Sequence, residues 1–254
     1  MLHYLHELKQ FRLEATDGTI GRVKDFLFDE KHWTVRYMVA DTGTWLPGRT
    51  ILVSPVSLGT PDWDNKRFEV KLTREQVENQ PSLDADAPVS RQHEREWFKT
   101  YRYPYYWAGE YYPWGLGVEP SALFAATPPG GAIGEEDEGD PHLRSLETIR
   151  SYKVAAKDDV FGHVEDLVMD DKSWTIRYVQ IDTRKWLPGE LILLSPDWFS
   201  NFDWENGTLA CDLSRDTIER IPKLKRGMPV DRAFETALFA HFDKPDYWWS
   251  DREK

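Results

Sequence analysis

Cysteine is all but missing from this 254-residue chain, which carries a single one, Cys211. One thiol cannot close an intrachain disulfide, and it excludes a Cys-rich zinc module and a CxxC redox pair. Long apolar runs are missing too. Mean hydropathy is -0.63, no stretch approaches the roughly 18 apolar residues of a membrane-spanning helix, and Met1 to Phe11 has no apolar core of a secretory leader. The expectation is a cytoplasmic protein with no transmembrane segment. There is no basic stripe either, and the sequence pI is near 5.1. Binding to phosphate backbones or anionic lipid depends on clustered Lys and Arg, so nucleic acid is not an expected partner.

The formal charge of -12 is unevenly spread: residues 108–148 hold 8 acidic side chains against 1 basic, while the flanking segments are close to balanced. With 40% apolar content the flanks can each bury a core. They are also copies of each other. Adding 141 to a residue number in the first half lands on its match in the second, and between Gly21–Pro55 and Gly162–Pro196 the two agree at 19 of 35 positions without a gap. The matches include Asp25/Asp166, Asp29/Asp170, Trp33/Trp174, Arg36/Arg177, Tyr37/Tyr178 and Asp41/Asp182. Trp45-Leu46-Pro47-Gly48 recurs as Trp186-Leu187-Pro188-Gly189, Trp63 as Trp204, and Tyr106-Trp107 as Tyr247-Trp248. A unit of about 100 residues is a duplicated domain rather than a solenoid repeat. Residues 108–148 have no counterpart, and the Pro/Gly stretch before Glu135-Glu136-Asp137-Glu138 reads as a self-repelling tether.

Within the first copy, Phe11 to Ala15 alternates apolar and polar as a half-buried strand, and Asp17-Gly18 supplies a turn. Ile20 to Phe28, Thr34 to Asp41, Arg49 to Val53 and Phe68 to Leu72 follow as short strands. Such close spacing predicts an antiparallel meander closed into a small barrel. Thr73 to Gln80 predicts a short helix, with Thr73 as cap, Gln76 three positions on and Pro81 as the stop, and Ser214 to Ile221 repeats it. A further helix is predicted after Pro88 and after Pro229, capped by Ser90 or Asp231.

Gly21-x-Val23-x-Asp25 through Asp29, Arg36 to Asp41, Trp45-Leu46-Pro47-Gly48 and Ile51 to Pro55 together resemble the PRC-barrel family, and the second copy resembles it equally. That family is named for the cytoplasmic domain of the photosynthetic reaction-centre H subunit and includes a domain of the bacterial ribosome maturation factor. The likeness covers roughly 70 residues of each copy. It implies a small β-barrel used for protein interaction or assembly, with no catalytic residue set common to the family. Unlike the reaction-centre subunit, this sequence shows no membrane anchor, and it shows no RNA-processing partner domain like that of the maturation factor. Docking from the soluble side of a membrane or electron-transfer complex stays open to it.

No constellation for catalysis stands out, and there is no Gly-x-Ser-x-Gly elbow, P-loop or dinucleotide fingerprint. Seven histidines are scattered, none matched between copies. His3 and His6 offer two ligands, one short of a zinc site. Cys211 alternates with Leu209 and Leu213 as a buried small hydrophobe. No metal, cofactor or catalytic residue is therefore expected. The retained Arg36, Asp41, Arg177 and Asp182 read as a binding surface or, preferably, as structural ion pairs that fix the hairpins, and the repeated tryptophans read as packing. Tyr101, Tyr103, Tyr105, Tyr106, Trp107, Tyr111, Tyr112 and Trp114 put eight aromatics in fourteen residues. Such rings wrap over their own domains, form an adhesive patch for a partner, or make a site for a carbohydrate or aromatic ligand, the first being preferred.

The fold expected is mainly β: two tandem small antiparallel barrels, each followed by short helices, as a pseudo-twofold pair. Domain 1 spans 1–107, an aromatic then acidic Pro/Gly-rich linker spans 108–148, and domain 2 spans 149–254. The expected function is that of a non-enzymatic protein-interaction or assembly module. Its candidate surface is Tyr105, Tyr106, Trp107, Tyr111, Tyr112 and Trp114 with Arg36, Asp41, Arg177 and Asp182. Its partners would be an unidentified protein, the other repeat of the same chain through intramolecular pairing, and in a homo-oligomer a second copy. The alternative is a small-molecule- or metal-binding regulator using the barrel mouth or the cleft between repeats.

Overall fold

The computed structural model describes residues 1–81, 89, 91–101, 103, 105–106, 119–122, 142–157, 159–183 and 190–248. Among these the protein is mainly β, and no helix is long and apolar enough to cross a membrane. The chain divides into two compact units: unit 1 comprises Met1, residues 3–148 and residues 169–176, and unit 2 comprises Leu2, residues 149–168 and residues 177–254.

In unit 1, β1 (Leu2–Tyr4, with Leu2 assigned to the other unit) leads into α1 (Leu5–Leu8). The sheet is built from β2 (Arg12–Ala15), β3 (Gly18–Asp29), β4 (Thr34–Asp41), β5 (Thr50–Val53) and β6 (Arg67–Glu69), in the order β5-β4-β3-β2-β6. Neighbours are antiparallel except β2 and β6, which run parallel. The long β3 is shared: its first half pairs β2, and its second half pairs β7 (Leu143–Ser145), Leu27 opposite Ser145. The expected barrel does not close. The segment after β5 reaches the β6 region through isolated bridges, Leu58 with Val70 and Asp62 with Arg67, rather than through a continuous ladder.

Two short helices and one longer one complete unit 1. α2 (Arg74–Glu78) starts in the capping box read from the sequence, Thr73 accepting from the Gln76 amide and Gln76 from that of Thr73. α3 (Arg91–Tyr101) buries Glu94, Trp97, Phe98 and Tyr101, one face at helical spacing. α4 (Leu146–Ile149) follows β7. Its start is held by Asp25, which accepts from the Ser145 hydroxyl (2.5 Å) and the Glu147 amide (3.1 Å). Burial pushes the Asp25 carboxyl above its ordinary range against those hydrogen bonds.

Unit 2 rebuilds the plan with β8 (Lys153–Ala155), β9 (Val160–Asp170), β10 (Ile176–Asp182), β11 (Leu191–Leu194), β12 (Phe199–Asp203) and β13 (Thr208–Cys211), ordered β11-β10-β9-β8-β13-β12. β8 and β13 are parallel, as are β2 and β6. This sheet does not close either. α5 (Arg215–Arg220) is capped by Ser214 and α6 (Arg232–His241) by Asp231, both as the sequence predicts. Cys211 is buried at 2% exposure, and burial raises its thiol to about 11.

The turn end of the β9–β10 hairpin, Met169–Ile176, belongs to unit 1. There the Val35 amide donates to the Trp174 carbonyl (2.9 Å) and the Ile176 amide to the Trp33 carbonyl (2.6 Å). Trp33 and Trp174 both hold left-handed backbone, φ 49° and 59°, an uncommon conformation for a large side chain. Both rings are buried, Trp33 stacked 5.1 Å from Phe28 and Trp174 tilted 6.0 Å from Phe68, so packing overrides the local preference.

Gly21 and Gly162 begin the matched blocks because two strands nearly touch there. A Cβ on Gly21 would lie 2.2 Å from the Asp41 carbonyl oxygen, and one on Gly162 would lie 2.4 Å from that of Asp182. Gly21→Ala should cost about 2–5 kcal/mol, from overpacking plus strain at φ 152°. Gly43→Ala, at φ 57° with nothing within 4 Å, should cost about 1 kcal/mol from its backbone alone. Equal losses in urea unfolding would refute the close approach as the reason for this glycine.

Candidate functional site

Arg36 lies on β4 and is fully buried. A buried guanidinium is tolerated only when paired and hydrogen-bonded. Its Nη2 donates to Asp29 Oδ2 at 3.1 Å, and its planar group covers the Tyr106 ring at 4.1 Å. Asp29 also accepts from the amides of Lys31 (2.8 Å) and His32 (3.2 Å) and lies 3.1 Å from His32 Nδ1. Burial alone would raise the Asp29 carboxyl, but the His32 hydrogen bond and the Arg36 charge hold it well below the ordinary range. One carboxylate thus fixes both the hairpin turn and the buried arginine. On β4, residues 36 and 41 are five apart, on opposite faces and about 16 Å from each other, so Asp41 does not serve as the partner.

The next residue, Tyr37, points to α3. Its hydroxyl donates to Glu94 Oε1 at 3.0 Å, and Tyr106 donates to the same oxygen at 2.8 Å. His142 Nε2 sits 3.0 Å from Glu94 Oε2 and 3.1 Å from the Tyr106 hydroxyl. Glu94 is itself fully buried. Unit 2 repeats the device: Tyr178 and Tyr247 each donate to Glu235 Oε1 at 2.7 Å, and Arg177 covers the Tyr247 ring at 4.2 Å. Arg232 lies 3.1 Å from Glu235 Oε2 and over the Trp248 ring at 4.0 Å. Burial, then the Glu235 charge, drives the Tyr178 phenol far above its ordinary range. In both units a strand, a helix and an aromatic tail are joined through one buried carboxylate.

Sequence reasoning singled out Arg36, Arg177 and Tyr106 but missed Glu94 and Glu235. The offset of 141 aligns them, and Glu94 interrupts the apolar face of α3. Of the other candidates, Tyr105 is half-buried with its ring 6.0 Å from Phe98, and Arg177 is half-buried. Asp41 is exposed at the end of β4, opposite Arg22, and accepts from the Gly43 amide at 2.9 Å. Asp182 is buried. Trp107, Tyr111, Tyr112 and Trp114 lie outside the described residues, as do 108–118, 123–141 and Trp186 to Gly189.

The loop after β4 is exposed at Pro47 and Gly48 and half-exposed at Trp45 and Leu46. Thr42 braces it, its hydroxyl donating to the Leu46 (2.6 Å) and Arg49 (3.0 Å) carbonyls, while Arg74 covers the Trp45 ring at 4.6 Å. Beside it a cleft of about 490 Å³ is lined by Arg12, Arg22, Lys24, Asp41 and Trp45 among others. At the positions equivalent to Arg22, Lys24 and Asp41, unit 2 has His163, Glu165 and Asp182, whose ligand atoms all lie within 4.8 Å of one another. No family model matches the chain, and no curated protein matches it in sequence.

Asp29→Asn tests the hairpin lock. The Asp29 carboxyl ionises in the folded state well below its unfolded value near 4. Its stabilisation is therefore present above about pH 4 and is lost as pH falls through the folded value. The variant should be about 3 kcal/mol less stable at pH 7, because it removes the Asp29 charge that faces the buried Arg36. In urea unfolding the gap to the wild type should narrow steadily below about pH 4; a gap that stays constant with pH would refute the lock.

Proposed function

We propose that the chain is a tandem PRC-barrel-like docking module that holds a protein partner without transforming it. In this reading each sheet is the opened form of that family's barrel. The observation that carries it is the repeated cluster around Glu94 and Glu235: the polar side chains retained in both copies brace strand, helix and tail. On the frame so braced, the reading puts the partner on the Trp-Leu-Pro-Gly loop, exposed at Pro47 and Gly48 and recurring at 186–189, and on the aromatic run that continues beyond Tyr106. Trp and Tyr give large contact area at small entropic cost, which suits a docking element. Arg36 and Tyr106, being buried, support the surface from beneath; Asp41 and Tyr105 remain in it.

Tyr111→Ala combined with Trp114→Ala tests the reading by affinity capture from the native host. A partner captured in stoichiometric amount by the wild type should be lost from the variant at unchanged melting temperature. Capture of the same partner by both would rule out the aromatic run as the docking element, and a wild type that captures nothing would defeat the proposal.

A further inference from the structure

The β3–β4 hairpin of unit 1 and the β9–β10 hairpin of unit 2 carry different charges at matching positions. Unit 1 places Arg22 directly opposite Asp41, and Lys24 lines the same cleft, so fixed cations dominate. Unit 2 has exchanged both cations for metal-ligand residue types, His163 and Glu165, and kept the aspartate as Asp182. An arginine from elsewhere in the unit approaches both carboxylates: Arg226 Nη1 lies 2.6 Å from Glu165 Oε1, and Nη2 lies 3.9 Å from Asp182 Oδ2. Arg226 stands on the connection between α5 and α6, next to Gly227 at φ 77°.

We propose that His163, Glu165 and Asp182 form a site for a divalent cation of the zinc class, which exchanges with the Arg226 guanidinium. Four observations support this. The donor set, one imidazole nitrogen and two carboxylates, is one that zinc, cobalt and nickel accept, with water completing the shell. His163 Nε2 and Glu165 Oε2 are already 3.8 Å apart, and the third ligand needs to move by about 1 Å to meet an ion at bonds of about 2.0–2.2 Å. Asp182 and Glu165 are 5% and 16% exposed at the side chain, so little water competes for them, whereas His163 at 35% leaves an entry path. Arg226 is 64% exposed and can swing into solvent without opening a void. Binding is a ligand exchange: the ion takes the lone pairs, the guanidinium is released to water, and nothing is oxidised or reduced. Unit 1 is the internal control, because Arg22 and Lys24 repel a cation at the same place. The inference is independent of the docking proposal.

Zinc chloride titrated into the metal-free full chain by calorimetry, with chelator competition, tests the site. The wild type should bind one high-affinity equivalent, His163→Ala and Glu165→Gln should each weaken it by about tenfold or more, and Arg226→Ala should tighten it several-fold. Cobalt(II) should give a visible absorption band that His163→Ala abolishes. Circular dichroism and melting temperature show which variants are folded, and Arg226→Ala, altering an exposed side chain, keeps the test valid if another variant unfolds. Zinc binding unchanged by His163→Ala would place the ion elsewhere, and no binding by either the wild type or Arg226→Ala would overturn the site.

Discussion

A carboxylate buried between a helix and a sheet is the constraint on which each unit depends. Glu94 and Glu235 have almost no access to water, so each must be fully satisfied by protein donors or the helix would separate from the strand. Two tyrosine hydroxyls meet one oxygen in both units, and a basic side chain meets the other. Because one tyrosine comes from the strand and one from the tail beyond the helix, satisfying the carboxylate fixes three segments far apart in sequence. A purely apolar contact would allow them to slide.

The buried arginine works with that carboxylate in unit 1. Arg36 joins the hairpin to the tail: Asp29 neutralises its charge on one side and the Tyr106 ring covers it on the other. The same Tyr106 carries its hydroxyl to Glu94, so hairpin lock and helix lock share a ring. This explains why the arginine is buried in a fold whose charged residues are otherwise mostly outside, and why the adjacent Arg-Tyr pair recurs unchanged in the duplicate. Its recurrence in both copies is architectural, and the loop after β4, the aromatic run and the strand face are left to serve function.

On that face the two matching halves of the chain differ. A strand face tolerates a charge of either sign as long as its neighbours compensate it. Unit 1 sets Arg22 opposite Asp41 within the sheet, whereas unit 2 brings Arg226 from a distant connection. The shared frame makes the difference readable, since the strands, the close approach at Gly21 and Gly162, and the retained aspartate are common to both.

Much of this was legible in the sequence. Period-two alternation marked β2, turn residues between short runs marked the strands that follow, capping residues marked α2 and α5, and the offset of 141 marked the repeat, all because these signals are local or recur identically. Leu2 to Leu8 and its copy at 143–149 escaped because three-residue strands and single-turn helices carry too little periodicity. The closed barrel was expected from strand spacing, but closure depends on whether the edges meet in register, and here they meet through isolated bridges. The choice of Asp29 rather than Asp41 for Arg36, and the role of Glu94, were also hidden, since a charged side chain's partner is set by which faces the folded strands bury. The sequence by itself determined the elements, their order and their doubling; the tertiary structure decided which charges are buried together and which strand face gathers ligands, because those depend on distances between residues that the chain alone does not bring near.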